Sequence, residues 1–135
     1  MKNLEVKNQA DNTFLFLEYD ANNEWLYLNW IGYQTVDNVR KGVLEAIIMQ
    51  RQYHFNKVLN DNRALIGPWE KANEWLEQVL VPEDQVLNLK YVAHVISPGI
   101  FGQLSIQNLQ TRVANKIQIK LFEDINRAQE WLKQQ

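Results

Sequence analysis

The chain has 135 residues and a formal net charge of -2, and its 14 Lys and Arg residues are scattered rather than massed. That distribution argues against nucleic acid and an acidic membrane surface, both of which call for clustered cations. A hydrophobic fraction of 46% suffices for the core of one folded domain over residues 1–135, and the absence of cysteine excludes disulfides, thiolate metal ligands and a thiol nucleophile.

Along the chain, the opening Met1-Lys2-Asn3-Leu4-Glu5-Val6 carries no signal-peptide core, and no run approaches the roughly 20 apolar residues of a membrane span. A cytoplasmic location is the expectation. Residues 13–19 and 25–31 are aromatic and apolar, with turn chemistry in Asp20-Ala21-Asn22-Asn23, and predict an antiparallel hairpin. Beyond Gly32, Thr35 is placed to cap a helix running to about Tyr53, with Asp37 at the positive end of its dipole. Val36, Val39, Val43, Ala46 and Ile47 form its apolar face.

Residues 57–60 read as a short strand ending in the polar tip Asn60-Asp61-Asn62-Arg63. Pro68 suits the first turn of a second helix, which carries Trp69, Ala72, Leu76, Val79 and Leu80 and stops at Pro82. The continuous apolar run at 91–96 reads as a parallel strand covered on both faces. Ser97-Pro98-Gly99 breaks it before a helix at about 101–114. Strict two-residue alternation at 116–122 predicts an edge or half-covered strand, and Glu123 and Asp124 open a last helix holding Ile125, Ala128, Trp131 and Leu132. The predicted order is β-β-α-β-α-β-α-β-α: an α/β fold with a mixed five-stranded sheet, an N-terminal antiparallel hairpin followed by parallel strands, and four helices.

This order resembles the STAS or SpoIIAA-like superfamily, the fold of bacterial anti-sigma-factor antagonists, over roughly residues 13–133. Trp30-Ile31-Gly32 closing the hairpin, Leu59 with Asp61 and Arg63, Ala93 to Pro98, and Phe122, Asp124, Ala128 and Trp131-Leu132 carry the local likeness to its bacterial STAS-like members. The resemblance implies a right-handed βα superhelix and a regulatory or protein-interaction role. It also implies where a switch would lie, because phosphoregulated antagonists carry Asp-Ser or Asp-Thr where this chain has Asp61-Asn62. Asparagine accepts no phosphate from a serine kinase, so a binding role without that switch is expected. The alternative implied by the architecture, which is shared with CRAL-TRIO lipid-exchange domains, is a small-molecule or lipid-binding domain.

The residues expected to meet a partner or ligand are Asp61, Asn62, Arg63, Trp69, Ser97 and Phe101. Asp61 can accept and Arg63 can donate through a fork, or else Asp61 caps the following turn while Arg63 pairs with a nearby carboxylate. Trp69 and Phe101, each in a first helical turn, are candidate aromatic walls, and an apolar pocket lined by them and Leu104 would favour the ligand reading. Ser97 opens a helix start with free backbone N–H groups. His94 lies in the most apolar strand and reads as a histidine satisfied near the core. A Ser97–His94–Asp61 triad lacks the Gly-x-Ser-x-Gly elbow, and two separated histidines supply no zinc pattern. The expectation is therefore a non-enzyme without cofactor or metal, whose partner is another protein or a second copy, with a small apolar ligand as the alternative.

Overall fold

Period-two alternation sorts the side chains of one mixed sheet onto two faces, and the helices divide between them. The computed structural model describes residues 3–66, 70–80, 88–96 and 100–135. Its strands are β1 (Asn3–Lys7), β2 (Thr13–Asp20), β3 (Trp25–Trp30), β5 (Lys57–Asp61), β7 (Tyr91–Val95) and β8 (Gln118–Phe122), joined in the order β1-β2-β3-β5-β7-β8. The β1·β2 and β2·β3 pairs are antiparallel and the rest parallel. A separate two-stranded parallel ribbon joins β4 (Gly32–Tyr33) to β6 (Leu65–Ile66).

The sheet thus has six strands and not the expected five. Residues 3–7 hold only two apolar side chains, Leu4 and Val6, too few to announce a strand alone. Both turn toward the core, and pairing to β2 supplies the register, with an irregularity between Val6 and Lys7. The outer antiparallel strand is therefore β1, while β8 closes the opposite edge as its alternation indicated.

Helices α1 (Val36–Tyr53), α2 (Asn73–Leu80, preceded by a single 3-10 turn, Glu70–Ala72) and α3 (Ile100–Val113) cover one face. There they meet Leu26, Leu28, Trp30, Val58 and Val92. Thr35 caps α1 as expected, its Oγ1 accepting from the Asn38 N–H at 3.0 Å. His54 ends that helix in the left-handed conformation at φ 58°. Gly42 lets α1 lie close to the sheet, since a Cβ there would stand 2.6 Å from Leu15 Cδ2 and 2.7 Å from Trp30 Cη2. The last helix, α4 (Ile125–Lys133), covers the other face, where Ala128 and Leu132 pack on Trp25, Leu59, Ala93 and Val95. Asp124 caps it through the Asn126 N–H at 2.8 Å. The proposed start of the second helix at Pro68, and its stop at Pro82, lie outside the described residues.

Candidate functional site

The end of β5 brings the polar tip to the carboxyl ends of β3 and β7, where ligands of open α/β sheets gather. Successive strand residues point to opposite faces, so Asn60 and Asp61 enter two different environments.

Asn60 points to the face covered by α1, α2 and α3, with Trp30 and His94. The Trp30 indole N–H donates to Asn60 Oδ1 at 2.9 Å, and the Asn60 Nδ2 lies 3.0 Å from His94 Nδ1. An indole nitrogen can only donate, so it fixes the Asn60 carboxamide with its oxygen toward Trp30 and its nitrogen toward the histidine. His94 Nδ1 is then the acceptor, and Nε2 carries the ring proton. Asn62 completes the row, its carboxamide nitrogen 3.3 Å from His94 Nε2 and its Oδ1 buried without a partner. A half-turn of that carboxamide gives Oδ1 the Nε2 proton, which satisfies the ring. Asn62 also ties the tip to β7, since its N–H donates to the Val95 carbonyl at 3.0 Å. His94 is only 1% exposed, and burial, opposed by the Asp61 charge, pulls its pKa down to about 3. It stays neutral at physiological pH.

Asp61 points to the other face and builds a charged clamp. Its Oδ1 accepts from the Arg63 backbone N–H at 3.1 Å and from Arg63 Nε at 2.9 Å. Its Oδ2 accepts from Arg63 Nη2 at 2.8 Å and from the Tyr27 hydroxyl at 2.7 Å. The pairing is the bidentate fork that guanidinium geometry allows, closed over a two-residue turn. Burial alone would raise the Asp61 pKa, but the hydrogen bonds from Arg63 and Tyr27 outweigh it and hold the carboxyl below its usual range. Burial and the neighbouring carboxylate push the Tyr27 hydroxyl up to about 12. The hydrogen bonds to Asp61 raise Arg63 further above its already high value. Asp61 is 3% exposed at its side chain and Arg63 52%, so the carboxylate anchors an outward-facing cation.

The ribbon beside this clamp exposes apolar groups by the same alternation. Ile31, Tyr33 and Ile66 are exposed and Leu65 between them is buried. Tyr33 and Ile66 are register partners, and the Gly32 N–H donates to the Ala64 carbonyl, next to Arg63, at 2.9 Å. Sequence reading passed over this shelf. Its only local signal was Ile31, Tyr33, Ala64 and Ile66 spaced by two around a glycine and a turn, and the pairing that aligns them is non-local.

Of the six residues the sequence pointed to, the structure brings Asp61, Asn62 and Arg63 together but leaves only Arg63 outward; Asp61 and Asn62 are buried. Trp69 and Ser97 lie outside the described residues, as does the side chain of Phe101, whose backbone opens α3. Leu104, expected in a pocket wall with them, is exposed. Both ring nitrogens of His94 face carboxamides rather than Asp61. Among the described residues no group of three His, Asp or Glu side chains is placed to hold a metal ion, and no helix is long and apolar enough to cross a membrane. At the opposite, amino end of the parallel strands lies a polar groove of about 410 Å³ lined in part by Glu24, His54, Asn88 and Lys90. Its floor stacks Tyr19 on Tyr53 with ring centroids 4.4 Å apart.

No family model matches the chain, and no curated protein matches it. A solved structure does. An uncharacterized protein of the DUF3478 family from Shewanella loihica PV-4, which has a SpoIIAA-like fold, superposes with a TM-score of 0.51 at 24% identity, over 87% of this chain and 91% of that one. The likeness is one of fold. The chain has a SpoIIAA-like α/β fold, as the order of its elements indicated.

Proposed function

We propose that this SpoIIAA-like chain is a non-catalytic protein-interaction module that docks through Arg63 and the apolar shelf of Ile31, Tyr33 and Ile66. The observation that carries this reading is the Asp61 clamp, in which a buried carboxylate and Tyr27 hold a half-exposed guanidinium in one orientation. Two of the guanidinium nitrogens are engaged with Asp61, and Nη1, which has no hydrogen-bond partner among the described residues, is left to meet an incoming acceptor. A fixed cation loses less side-chain entropy on binding than a free one. Arg beside Tyr is also a usual composition of an interface hot spot. The partner that fits presents a carboxylate flanked by apolar side chains, on another protein or on a second copy of this chain. In this reading Asp61 positions Arg63 and does not itself touch the partner, because its oxygens already accept four hydrogen bonds.

Control by serine phosphorylation is not part of this proposal. The position equivalent to the antagonists' phosphorylated hydroxyl is Asn62, which is buried as well as lacking a hydroxyl. A non-catalytic role is supported by the state of His94, neutral and hydrogen-bonded within the core.

Affinity capture from a lysate of the source organism, comparing wild type with Arg63→Glu and Tyr33→Ser, tests the reading. Native mass spectrometry of the same proteins separates a foreign partner from a second copy. Each substitution should remove the same partner, or the same dimer, while the circular dichroism spectrum is unchanged. Partners and oligomeric state indifferent to both substitutions would overturn the proposal.

A further inference from the structure

Beside the clamp, the sheet carries an open face. The strand registers align Glu5 with Phe16, Phe16 with Asn29 and Asn29 with Asp61, which sets these residues in one row across β1, β2, β3 and β5. Directly opposed residues of neighbouring strands share a face. The row therefore lies on the side to which Asp61 points, away from Leu4, Val6, Leu15 and Leu17 in the core. On that side α4 packs against β5, β7 and β8. Over β1, β2 and β3 the row belongs to neither core: Glu5 is exposed, and Phe16 and Asn29 are half-buried.

The row is complementary to its own reverse. At one end Arg63, locked on Asp61, presents a cation. At the other, the Glu5 carboxylate has no hydrogen-bond or ion-pair partner among the described residues, and the neighbouring cation Lys7 is drawn to Asp11 at 3.8 Å. Strands lie about 4.8 Å apart, so the two ends are separated by about 14 Å. A two-fold axis running along the strands between Phe16 and Asn29 lays Glu5 of each copy over Arg63 of the other, the reciprocity that an isologous interface requires. It also brings the two Phe16 rings together at the centre. Facing sheets pack about 10 Å apart, a gap that an arginine and a glutamate side chain bridge between them. The shelf of Ile31, Tyr33 and Ile66 adjoins the Arg63 end and adds apolar area there.

We propose that the partner of the Arg63 surface is a second copy of this chain, joined through a two-fold interface in which Glu5 of each copy pairs with Arg63 of the other around a Phe16 centre, an inference that rests on the reading of Arg63 as a presented cation and names its occupant.

Native mass spectrometry over a concentration series should show a wild-type dimer. Glu5→Arg and Arg63→Glu each oppose like charges at both contacts and should raise the dimer Kd at least about tenfold, with circular dichroism unchanged. Mixed together, the two variants should dimerise again, because both contacts of the mixed dimer join opposite charges. Phe16→Ser should weaken the dimer by a similar factor. The chain has no cysteine, so Asn29→Cys supplies a unique thiol beside the axis; a short bismaleimide should cross-link it to its mate, and should not cross-link Leu44→Cys on the outer side of α1. A monomeric wild type, a dimer indifferent to Glu5→Arg or Phe16→Ser, a mixture of the charge variants that stays monomeric, or an Asn29→Cys protein that does not cross-link overturns the proposal. If Arg63→Glu and Tyr33→Ser then still remove a foreign partner, Arg63 remains the contact and only its occupant changes; if Arg63→Glu alters neither dimer nor partner list, both readings fall.

Discussion

Asn60 and Asp61 are neighbours in the chain, yet they anchor two polar systems that are stable for opposite reasons. The row Trp30–Asn60–His94–Asn62 is neutral and sealed in the core, and its central members, Asn60 and His94, find their side-chain partners within it. The Tyr27–Asp61–Arg63 clamp is charged and sits at the boundary, with its carboxylate buried and its cation half in water. A buried network cannot call on solvent when one member is lost, whereas a boundary pair can. The first should therefore govern stability and the second should govern contact.

The largest expected effect comes from Asn60→Leu. It strands the Trp30 N–H and His94 Nδ1 in the core, and should cost about 3 kcal/mol in urea unfolding. A loss under about 0.5 kcal/mol would mean the row has no such role.

Acidification should come next, and it separates the two systems by pH. The His94 pKa falls from 6.5 to about 3 on folding, so below 6.5 the unfolded chain takes up a proton that the native state refuses. Stability is thus complete above 6.5 and declines by about 1.4 kcal/mol per pH unit on descending toward 3. Asp61, whose pKa is lowered on folding from an ordinary 3.8, adds its own loss only below that value. Unfolding midpoints between pH 7 and 4.5 should fall for the wild type and stay nearly level for a folded His94→Gln variant, with assay pH values chosen to bracket about 6.5. A level wild-type profile would break the assignment of a neutral buried histidine.

Asp61→Asn should cost about 1 kcal/mol, less than Asn60→Leu because water can take over the freed guanidinium. It should also lower the Tyr27 pKa from about 12 toward, though not to, 10.0, since burial is the larger cause and remains. Ultraviolet titration of the phenolate reads this directly, and an unchanged Tyr27 would show that the carboxylate does not control it. The smallest effect on stability is expected from Arg63→Lys, within about 0.5 kcal/mol for a half-exposed partner, although an ammonium cannot reproduce the fork and contact should still suffer. A large stability loss there would erase the distinction between the two systems.

Much of the fold was legible locally. Thr35 announced its helix as a cap, Glu123 and Asp124 marked the start of the last one, the apolar run at 91–96 announced a covered strand, and Lys116 to Phe122 announced an edge or half-covered strand. β1 was not legible, because Leu4 and Val6 become a strand only against β2. The site was half legible. The tip was conspicuous as a run of polar residues after an apolar strand, but it read as one surface. Which of its residues would face water depended on strand parity combined with partners 30 or more positions away, Tyr27 for Asp61 and Trp30 and His94 for Asn60.

The sequence by itself determined the order of the parallel β and α elements, through periodicity, caps and turn residues that act over a few neighbours. It also determined that no hydroxyl stands at the tip, since that is a matter of composition. Tertiary structure alone decided that Asp61 is an anchor and Arg63 a presented cation, that His94 is held neutral, and that Ile31, Tyr33 and Ile66 share one exposed face. Each of these depends on groups distant in the chain meeting in space, and burial, charge and hydrogen-bond satisfaction are properties of those meetings.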